Sequence, residues 1–286
     1  VDEKKKVIYF TSAESAAMRR DLFQIKFDGS KKVKLTKGEG THNIDMSPDT
    51  KYFIDTYSSI NTPPVFNLRT GYTGKLIKKL KENTSLETKM KDYNFSEAEF
   101  FKFKTSENVE LNGYMIKPSN FDESKKYPVL MYVYGGPGIN TVNDSWIGSN
   151  FTWYQMLAQK GYIVVSIDGR GTGYRGAEFK KSTYGQLGNL ESKDQIEGAK
   201  YLKTLPYVDK NRVGIWGWSF GGYLTSLCMN IGADVFKMGV AVAPVTTWRY
   251  YDTIYTERYL GLPKDNASGY DNNSPIQHAD KLKGKF

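Results

Sequence analysis

Arg212-Val-Gly-Ile-Trp-Gly-Trp-Ser-Phe-Gly-Gly-Tyr-Leu-Thr225 is the stretch on which the reading of this chain turns. It contains Gly217-x-Ser219-x-Gly221, a pattern that sets a serine on a sharp strand-to-helix turn with its hydroxyl exposed above a sheet. The turn is strained, and side chains at the two glycines would crowd the strand and helix that meet there. The chain has 27 glycines, so the pattern alone arises easily by chance. Its flanks give it weight. Val213, Ile215 and Trp216 precede it as a short apolar run of strand character. Leu224, Leu227, Cys228 and Ile231 follow at the spacing of one buried helix face. Strand, elbow and helix together predict that Ser219 is a nucleophile; the competing reading is a Gly-rich turn with an incidental serine.

Outward from the elbow the pattern is strand, helix, strand, helix. Val129-Leu-Met-Tyr-Val-Tyr134 and Tyr162-Ile-Val-Val-Ser-Ile167 are continuous apolar strands. Phe151, Tyr154, Leu157 and Ala158 mark one helix, and Ile196, Ala199, Leu202 and Leu205 a second. Met238-Gly-Val-Ala-Val-Ala243 follows the elbow helix. Apolar strands alternating with helices imply a mostly parallel, doubly wound sheet covered on both faces. Phe100-Phe-Lys-Phe-Lys and Leu111-Asn-Gly-Tyr-Met-Ile alternate like antiparallel strands ahead of it. With the elbow in this setting, the expected class is an α/β hydrolase.

Residues 1–85 read as all-β, with short strand candidates separated by Asp28-Gly-Ser, Ser47-Pro-Asp and Pro63-Pro turns. Lys6-Val-Ile-Tyr-Phe-Thr-Ser matches Lys51-Tyr-Phe-Ile-Asp-Thr-Tyr, and Phe23-Gln-Ile and Lys32-Val-Lys-Leu have counterparts at Phe66-Asn-Leu and Lys75-Leu-Ile-Lys. The offset of about 44 residues is that of a four-stranded propeller blade, with a plain β-meander as the alternative. Two blades fit this span, fewer than a closed propeller needs. The expected organisation is a partial propeller over 1–85, a polar connector over 86–99, and a hydrolase domain over 100–286 that is truncated at its C-terminus.

Composition bounds the remainder. The chain has 286 residues, 39% hydrophobic and 14% aromatic, which marks a globular protein. The net charge of +9 comes from lysines scattered through both halves, a solvated surface with no dense basic block, so nucleic-acid binding is not expected. No apolar run approaches the roughly 20 residues of a membrane span. The single cysteine, Cys228, lies on the predicted apolar helix face, where packing explains it. No residue cluster suggests a cofactor or metal.

Three further stretches could carry chemistry. Tyr134-Gly-Gly-Pro-Gly138 ends a parallel strand, where an α/β hydrolase places one oxyanion donor; the N–H of Phe220 would be the other. Gly171, Gly173 and Gly176 form a G-x-G-x-x-G after a strand, the signature of a dinucleotide site. No apolar helix follows it, so a loop lining the cleft is the preferred reading. Trp248, Tyr251, Tyr255 and Tyr259 recur at helical spacing near the carboxyl edge of the sheet, where such sheets bind ligands.

Gly217-Trp-Ser-Phe-Gly-Gly-Tyr, Tyr132-Val-Tyr-Gly-Gly-Pro-Gly, Asp168-Gly-Arg-Gly-Thr-Gly-Tyr, and Ala243-Pro-Val-Thr-Thr-Trp-Arg-Tyr-Tyr-Asp with Tyr255-Thr-Glu-Arg-Tyr-Leu-Gly-Leu-Pro resemble the dipeptidyl peptidase IV branch of the prolyl oligopeptidase family. The scarcity of cysteine resembles its bacterial members. The resemblance covers essentially the whole chain and implies a β-propeller followed by an α/β-hydrolase domain. It implies a serine exopeptidase that releases Xaa-Pro, and less well Xaa-Ala, dipeptides from peptide N-termini. Carried over by motif, Ser219 is the nucleophile, Tyr134 and the Phe220 N–H serve the oxyanion, and Trp218, Val245, Trp248, Tyr251 and Tyr255 contact substrate. An apolar, aromatic-walled slot suits a pyrrolidine ring. The resemblance also implies a homodimer when full length, a periplasmic, secreted or cell-surface address, amine-binding glutamates before Val1, and a catalytic Asp and His beyond Phe286. The other readings are a hydrolase-fold interaction protein without catalysis and a nucleotide-dependent oxidoreductase.

A hydrolase triad runs Ser, then Asp or Glu, then His. The chain has two histidines. His42 precedes the nucleophile, and His278 sits in Ser274-Pro-Ile-Gln-His-Ala-Asp-Lys-Leu, which reads as the start of a surface helix. The 286 residues alone are therefore expected to be inactive.

Overall fold

The computed structural model describes all 286 residues. They form two compact units, Val1–Phe95 with Asn143–Thr152, and Ser96–Val142 with Trp153–Phe286.

The first unit is built from antiparallel meanders. Strands β1 (Val7–Ser12), β2 (Asp21–Lys26) and β3 (Val33–Lys34) form one sheet; β4 (Thr41–Met46), β5 (Tyr52–Ser59), β6 (Thr62–Thr70) and β7 (Leu76–Lys81) form another. The matched segments of the sequence repeat fall on equivalent strands, β1 with β5, β2 with β6 and β3 with β7. Leu22, Leu35 and Phe53 are its buried apolar centre, with Tyr9, Ile44 and Met46 packed on them. His42 on β4 is 1% exposed and its Nδ1 lies 2.8 Å from Asp55 on β5, which also accepts from Arg69 Nε on β6 at 2.7 Å. Strand β7 is exposed along its whole length. Helix α1 (Thr84–Lys91) overlaps the start of the stretch read as a connector and buries no residue.

Residues 143–152 belong to this unit although they lie far along the sequence. Asp144 explains the attachment. Its carboxylate accepts from the Ile60 N–H at 3.1 Å and from Arg19 Nε at 2.9 Å, and its own N–H donates to Met18 O at 2.8 Å.

The second unit holds a six-stranded sheet in the order β13-β12-β10-β11-β9-β8. Its strands are β8 (Ala98–Lys104), β9 (Glu110–Ile116), β10 (Tyr127–Tyr132), β11 (Ile163–Asp168), β12 (Val208–Trp218) and β13 (Met238–Val242). Strands β10 to β13 are parallel, and the β8–β9 hairpin joins antiparallel to β11. Helices α2 (Asn150–Gln159), α3 (Ala177–Lys181), α4 (Asn189–Leu202), α5 (Phe220–Ile231), α6 (Thr253–Leu260) and α7 (Ala267–Asp271) connect and follow the strands. The order reverses at β10: β11 lies on one side and the next parallel strand, β12, on the other. Ligand sites of open α/β sheets lie at the carboxyl ends of strands at such a switch. Met131, Val133, Ile163, Val165, Val213 and Ile215 make the apolar centre of the sheet, all at most 2% exposed.

Helix α5 is buried through Phe220–Asn230, on every face, so its apolar spacing understates its burial. Ile231, expected on the buried face, is 43% exposed at the last turn. Helix α4 also departs from expectation. Its buried face carries Glu191, Ser192, Asp194 and Gln195 besides Ala199 and Leu202, while Leu205 lies beyond its end.

Candidate active site

Ser219 follows the last residue of β12 and precedes the first of α5, with φ 57° and ψ −115°. A non-glycine residue in that region is strained and persists only where its surroundings enforce it. Here the Ser219 N–H donates to Val242 O at 2.9 Å, and its carbonyl accepts from Tyr223 N–H at 2.9 Å. Gly217 and Gly221 allow the approach: a Cβ at either would stand 2.4 or 2.1 Å from Val133 O. Because α5 begins at Phe220, its first N–H groups have no partner within the helix and present partial positive charge. Trp218, beside the serine, is 59% exposed.

Tyr134 follows β10, the neighbour of β12. The register pairs Tyr132 with Trp216, and Val133 N–H donates to Trp216 O at 3.0 Å, so the chain past β10 runs beside the elbow. The Tyr134 ring lies 6.3 Å from Phe220. Partial burial pushes its phenol above the ordinary range, with Tyr251 and Tyr259 adding to the effect, so it keeps its proton at neutral pH. Asp168, at the end of β11, holds the segment that follows β10 by accepting from Thr141 N–H at 2.8 Å, Thr141 Oγ1 at 2.9 Å and Val142 N–H at 3.1 Å. The glycine loop 169–176 is stitched to the same segment. Gly138 N–H donates to Gly171 O at 2.8 Å, and Gly173 N–H to Asn140 Oδ1 at 2.9 Å. The helix that follows this G-x-G-x-x-G is α3, five residues long and with no buried residue. A dinucleotide site needs a longer helix packed on the sheet.

The aromatic stripe comes together, but not as one helix. Trp248 lies in a short 3-10 turn (Trp248–Tyr250), Tyr251 ends it in extended geometry, and Asp252 caps the new helix α6 by accepting from Tyr255 N–H at 2.8 Å. The rings still meet. Trp248 lies 5.7 Å from Tyr251 and 6.0 Å from Tyr255, Tyr251 5.6 Å from Tyr255, and Tyr255 5.0 Å from Tyr259. Trp248 is 1% exposed and Tyr251 43%, so the group has a buried floor and an open rim. Phe220, at 5.7 Å from Trp248, joins the floor to the elbow, and Val245 packs against the same apolar core.

Both histidines are held by other partners. His42 is committed to Asp55 in the first unit. His278, in a 3-10 helix (Pro275–Lys281) and not an α-helix, has Nε2 at 2.7 Å from Asn272 O and Nδ1 at 3.1 Å from Lys281 Nζ. Nε2 must donate to the carbonyl, which leaves Nδ1 to accept from the ammonium. Cys228 is fully buried, and burial pushes its thiol far up, which makes it inert.

Two residues that sequence reading passed over support the floor. The Tyr223 hydroxyl lies 2.8 Å from both Leu187 O and Asn273 O, and its ring packs edge-on to Trp248 at 5.0 Å and Phe220 at 5.2 Å. Glu191, 1% exposed, accepts from Gly188 N–H at 2.9 Å, and burial pushes its carboxyl up to about 8. An acid three residues after a helix-starting position is a legible capping signal.

A mixed sheet with its parallel centre, a serine elbow after β12 and a facing loop after β10 define an α/β hydrolase. Residues 149–286 match the prolyl oligopeptidase family, and residues 1–64 match the dipeptidyl peptidase IV N-terminal region, a propeller-type segment. These two matches together place the chain's similarity in the dipeptidyl peptidase IV branch of this family. The dipeptidyl peptidase 4 of Porphyromonas gingivalis superposes with a TM-score of 0.94 at 44% identity, covering 98% of this chain and 39% of that one. The probable dipeptidyl-aminopeptidase B of Arthroderma benhamiae is 38% identical over 286 residues, 99% of this chain and 31% of the relative. That of Botryotinia fuckeliana is 38% identical over 278 residues, 96% and 30%. The chain thus spans about a third of the length of these relatives.

Proposed function

We propose that the protein containing this segment is a serine exopeptidase that releases Xaa-Pro, and less readily Xaa-Ala, dipeptides from peptide N-termini through an acyl-enzyme on Ser219. The observation that carries this is the juxtaposition of a strained Ser219 at the N-terminus of α5 with a buried aromatic floor one residue away. The elbow exposes the hydroxyl. The Phe220 N–H and the protonated Tyr134 phenol are the donors for the oxyanion that forms on attack. Trp248, Tyr251 and Tyr255, with Val245, take the proline ring, whose missing N–H leaves nothing polar to satisfy in an apolar slot. Exposed Trp218 contacts the substrate beside the scissile bond.

The base that activates Ser219 must reach its hydroxyl and be oriented by an acid. His42 is held to Asp55 through Nδ1, and both ring nitrogens of His278 are engaged by Asn272 O and Lys281 Nζ, so this reading takes the base and its acid from outside these 286 residues. A homodimer and an extracytoplasmic address accord with the same reading. The test is a fluorophosphonate probe on the full-length protein with peptide mapping. The expected result is label on Ser219 alone, lost in Ser219→Ala. Label on another serine, or equal label after that substitution, overturns the assignment.

A further inference from the structure

We propose that Glu191, through loop 182–188, is a positioning residue for the aromatic floor, fixing from behind the two tyrosines on which the proline slot rests. The loop reaches the floor at two places. At one, Leu187 O receives the Tyr223 hydroxyl, and Gly188 packs on that hydroxyl so closely that a Cβ there would stand 1.9 Å from it. At the other, Gly185 N–H donates to Tyr259 O at 2.8 Å, and Gly185 O accepts from Asn266 Nδ2 at 2.9 Å, whose amide also holds Leu260 O at 2.8 Å. Tyr223 carries Trp248 and Phe220; Tyr259 carries Tyr255. The loop is locked to α4 by Glu191, whose Oε2 accepts the Gly188 N–H, and by Ser192, whose N–H donates to Gly188 O at 3.0 Å. One buried side chain therefore bears on both walls of the slot. The role of the slot itself rests on the function proposed above.

The chemistry of the surroundings fixes the form in which Glu191 works. Its other oxygen, Oε1, is buried with Thr183 Oγ1 as a polar neighbour, in an arrangement that falls short of a formed hydrogen bond. No cation faces it. Asp194, one turn on, has the same charge and is committed to Arg170 by contacts of 2.7 to 3.1 Å. The Tyr223 and Tyr255 phenols face it from α5 and α6, both held protonated by burial. Ionisation would set a second, unpaired negative charge in the interior, a costly state that a neutral acid avoids. With its carboxyl pushed up to about 8, Glu191 is neutral at physiological pH and ionises in mild alkali.

The test compares wild type, Glu191→Gln and Glu191→Ala in the full-length protein, by hydrogen exchange of loop 182–188 and α6 and by KM and kcat for a Gly-Pro amide. Glutamine reproduces the neutral acid, since its oxygen can accept from Gly188 and its amide can donate to Thr183. At pH 7 the expected result is unchanged exchange and KM in Glu191→Gln. In Glu191→Ala, exchange rises in both segments and KM rises about tenfold with a smaller change in kcat. Above pH 8, wild type loosens and its KM rises, while Glu191→Gln at the same pH does not. If Glu191→Ala does not fold, this alkaline comparison decides alone. Damage in Glu191→Gln equal to that in Glu191→Ala, or identical alkaline behaviour of wild type and Glu191→Gln, overturns the proposal. Hydrogen exchange reads the positioning role even if the Gly-Pro amide is not turned over, an outcome that would instead sink the proposed function.

Discussion

Gly221→Ala tests whether the closeness of two strand ends makes the site. A Cβ at Gly221 would lie 2.1 Å from Val133 O, 3.0 Å from Val133 C and 3.1 Å from Tyr134 Cα. Ordinary contact begins at 3.4 Å, so the nearest pair must separate by about 1.3 Å, and every atom met is backbone. No side chain can swing aside to absorb the methyl. The movement therefore shifts the chain at Tyr134 away from Ser219 and α5. Overpacking of this kind costs about 1–3 kcal/mol of stability, and a misplacement of about 1 Å costs roughly 10²-fold in rate. Gly214→Ala, seven residues earlier, is the control: its Cβ meets nothing closer than 3.3 Å, the Met238 methyl and Met238 O, so a give of about 0.1 Å suffices. The assay is the rate of fluorophosphonate labelling of Ser219 in the full-length protein, beside its thermal midpoint. Gly221→Ala is expected to label about 10²-fold more slowly at a temperature where it remains folded, and Gly214→Ala close to the wild-type rate. Equal labelling of wild type and folded Gly221→Ala would refute the claim that the oxyanion loop and the nucleophile are held by this contact.

Tyr134→Phe should lower kcat about 10²–10³-fold with little change in KM, the usual effect of losing one oxyanion donor; an intact kcat would make Tyr134 structural. Tyr251→Ala removes the open rim of the slot and should reduce kcat/KM for a Gly-Pro amide more than for a Gly-Ala amide; equal losses would count against its role in selection. The raised carboxyl of Glu191 fixes a sign for stability. Between pH 4.5 and about 8 the native state holds a proton that the unfolded chain has released, so this group makes stability fall as pH rises through that window. The slope approaches about 1.4 kcal/mol per pH unit, and denaturant titrations of Glu191→Gln should lack it; the same slope in wild type and variant would assign the pH dependence to another group. Residues 1–286 alone should not turn over a Gly-Pro amide, and turnover near the parental rate that is abolished by His278→Ala would place the base inside this segment.

The elbow was legible because its requirements are local. Glycines where backbones touch, a strand before and a helix after, are all written within residues 212–231. The aromatic stripe was legible for a partly accidental reason. The helical spacing of Trp248, Tyr251, Tyr255 and Tyr259 does bring their rings together, yet through a 3-10 turn and a fresh helix capped by Asp252. Period alone cannot see a cap that restarts a helix. Glu191 stayed hidden because a search for apolar periodicity skips acids, and the buried face of α4 carries four polar side chains with specific partners. The attachment of residues 143–152 to the first unit rests on Asp144 and its contacts with Met18, Arg19 and Ile60, contacts across more than eighty residues that no local pattern encodes.

Strand β7 carries a different kind of instruction. It lies at the rim of its sheet with Leu76, Ile77 and Leu80 exposed, an open ladder that could recruit any extended chain it met. Lys78, Lys79 and Lys81 are set among them on the same strand. Two such rims brought together would confront ammonium with ammonium, so the lysines discourage self-stacking while leaving the ladder open to a strand of neutral or acidic character. The guard against self-stacking is three lysines in one six-residue segment, and exchanging them for threonine is expected to turn a guarded rim into a seed for aggregation.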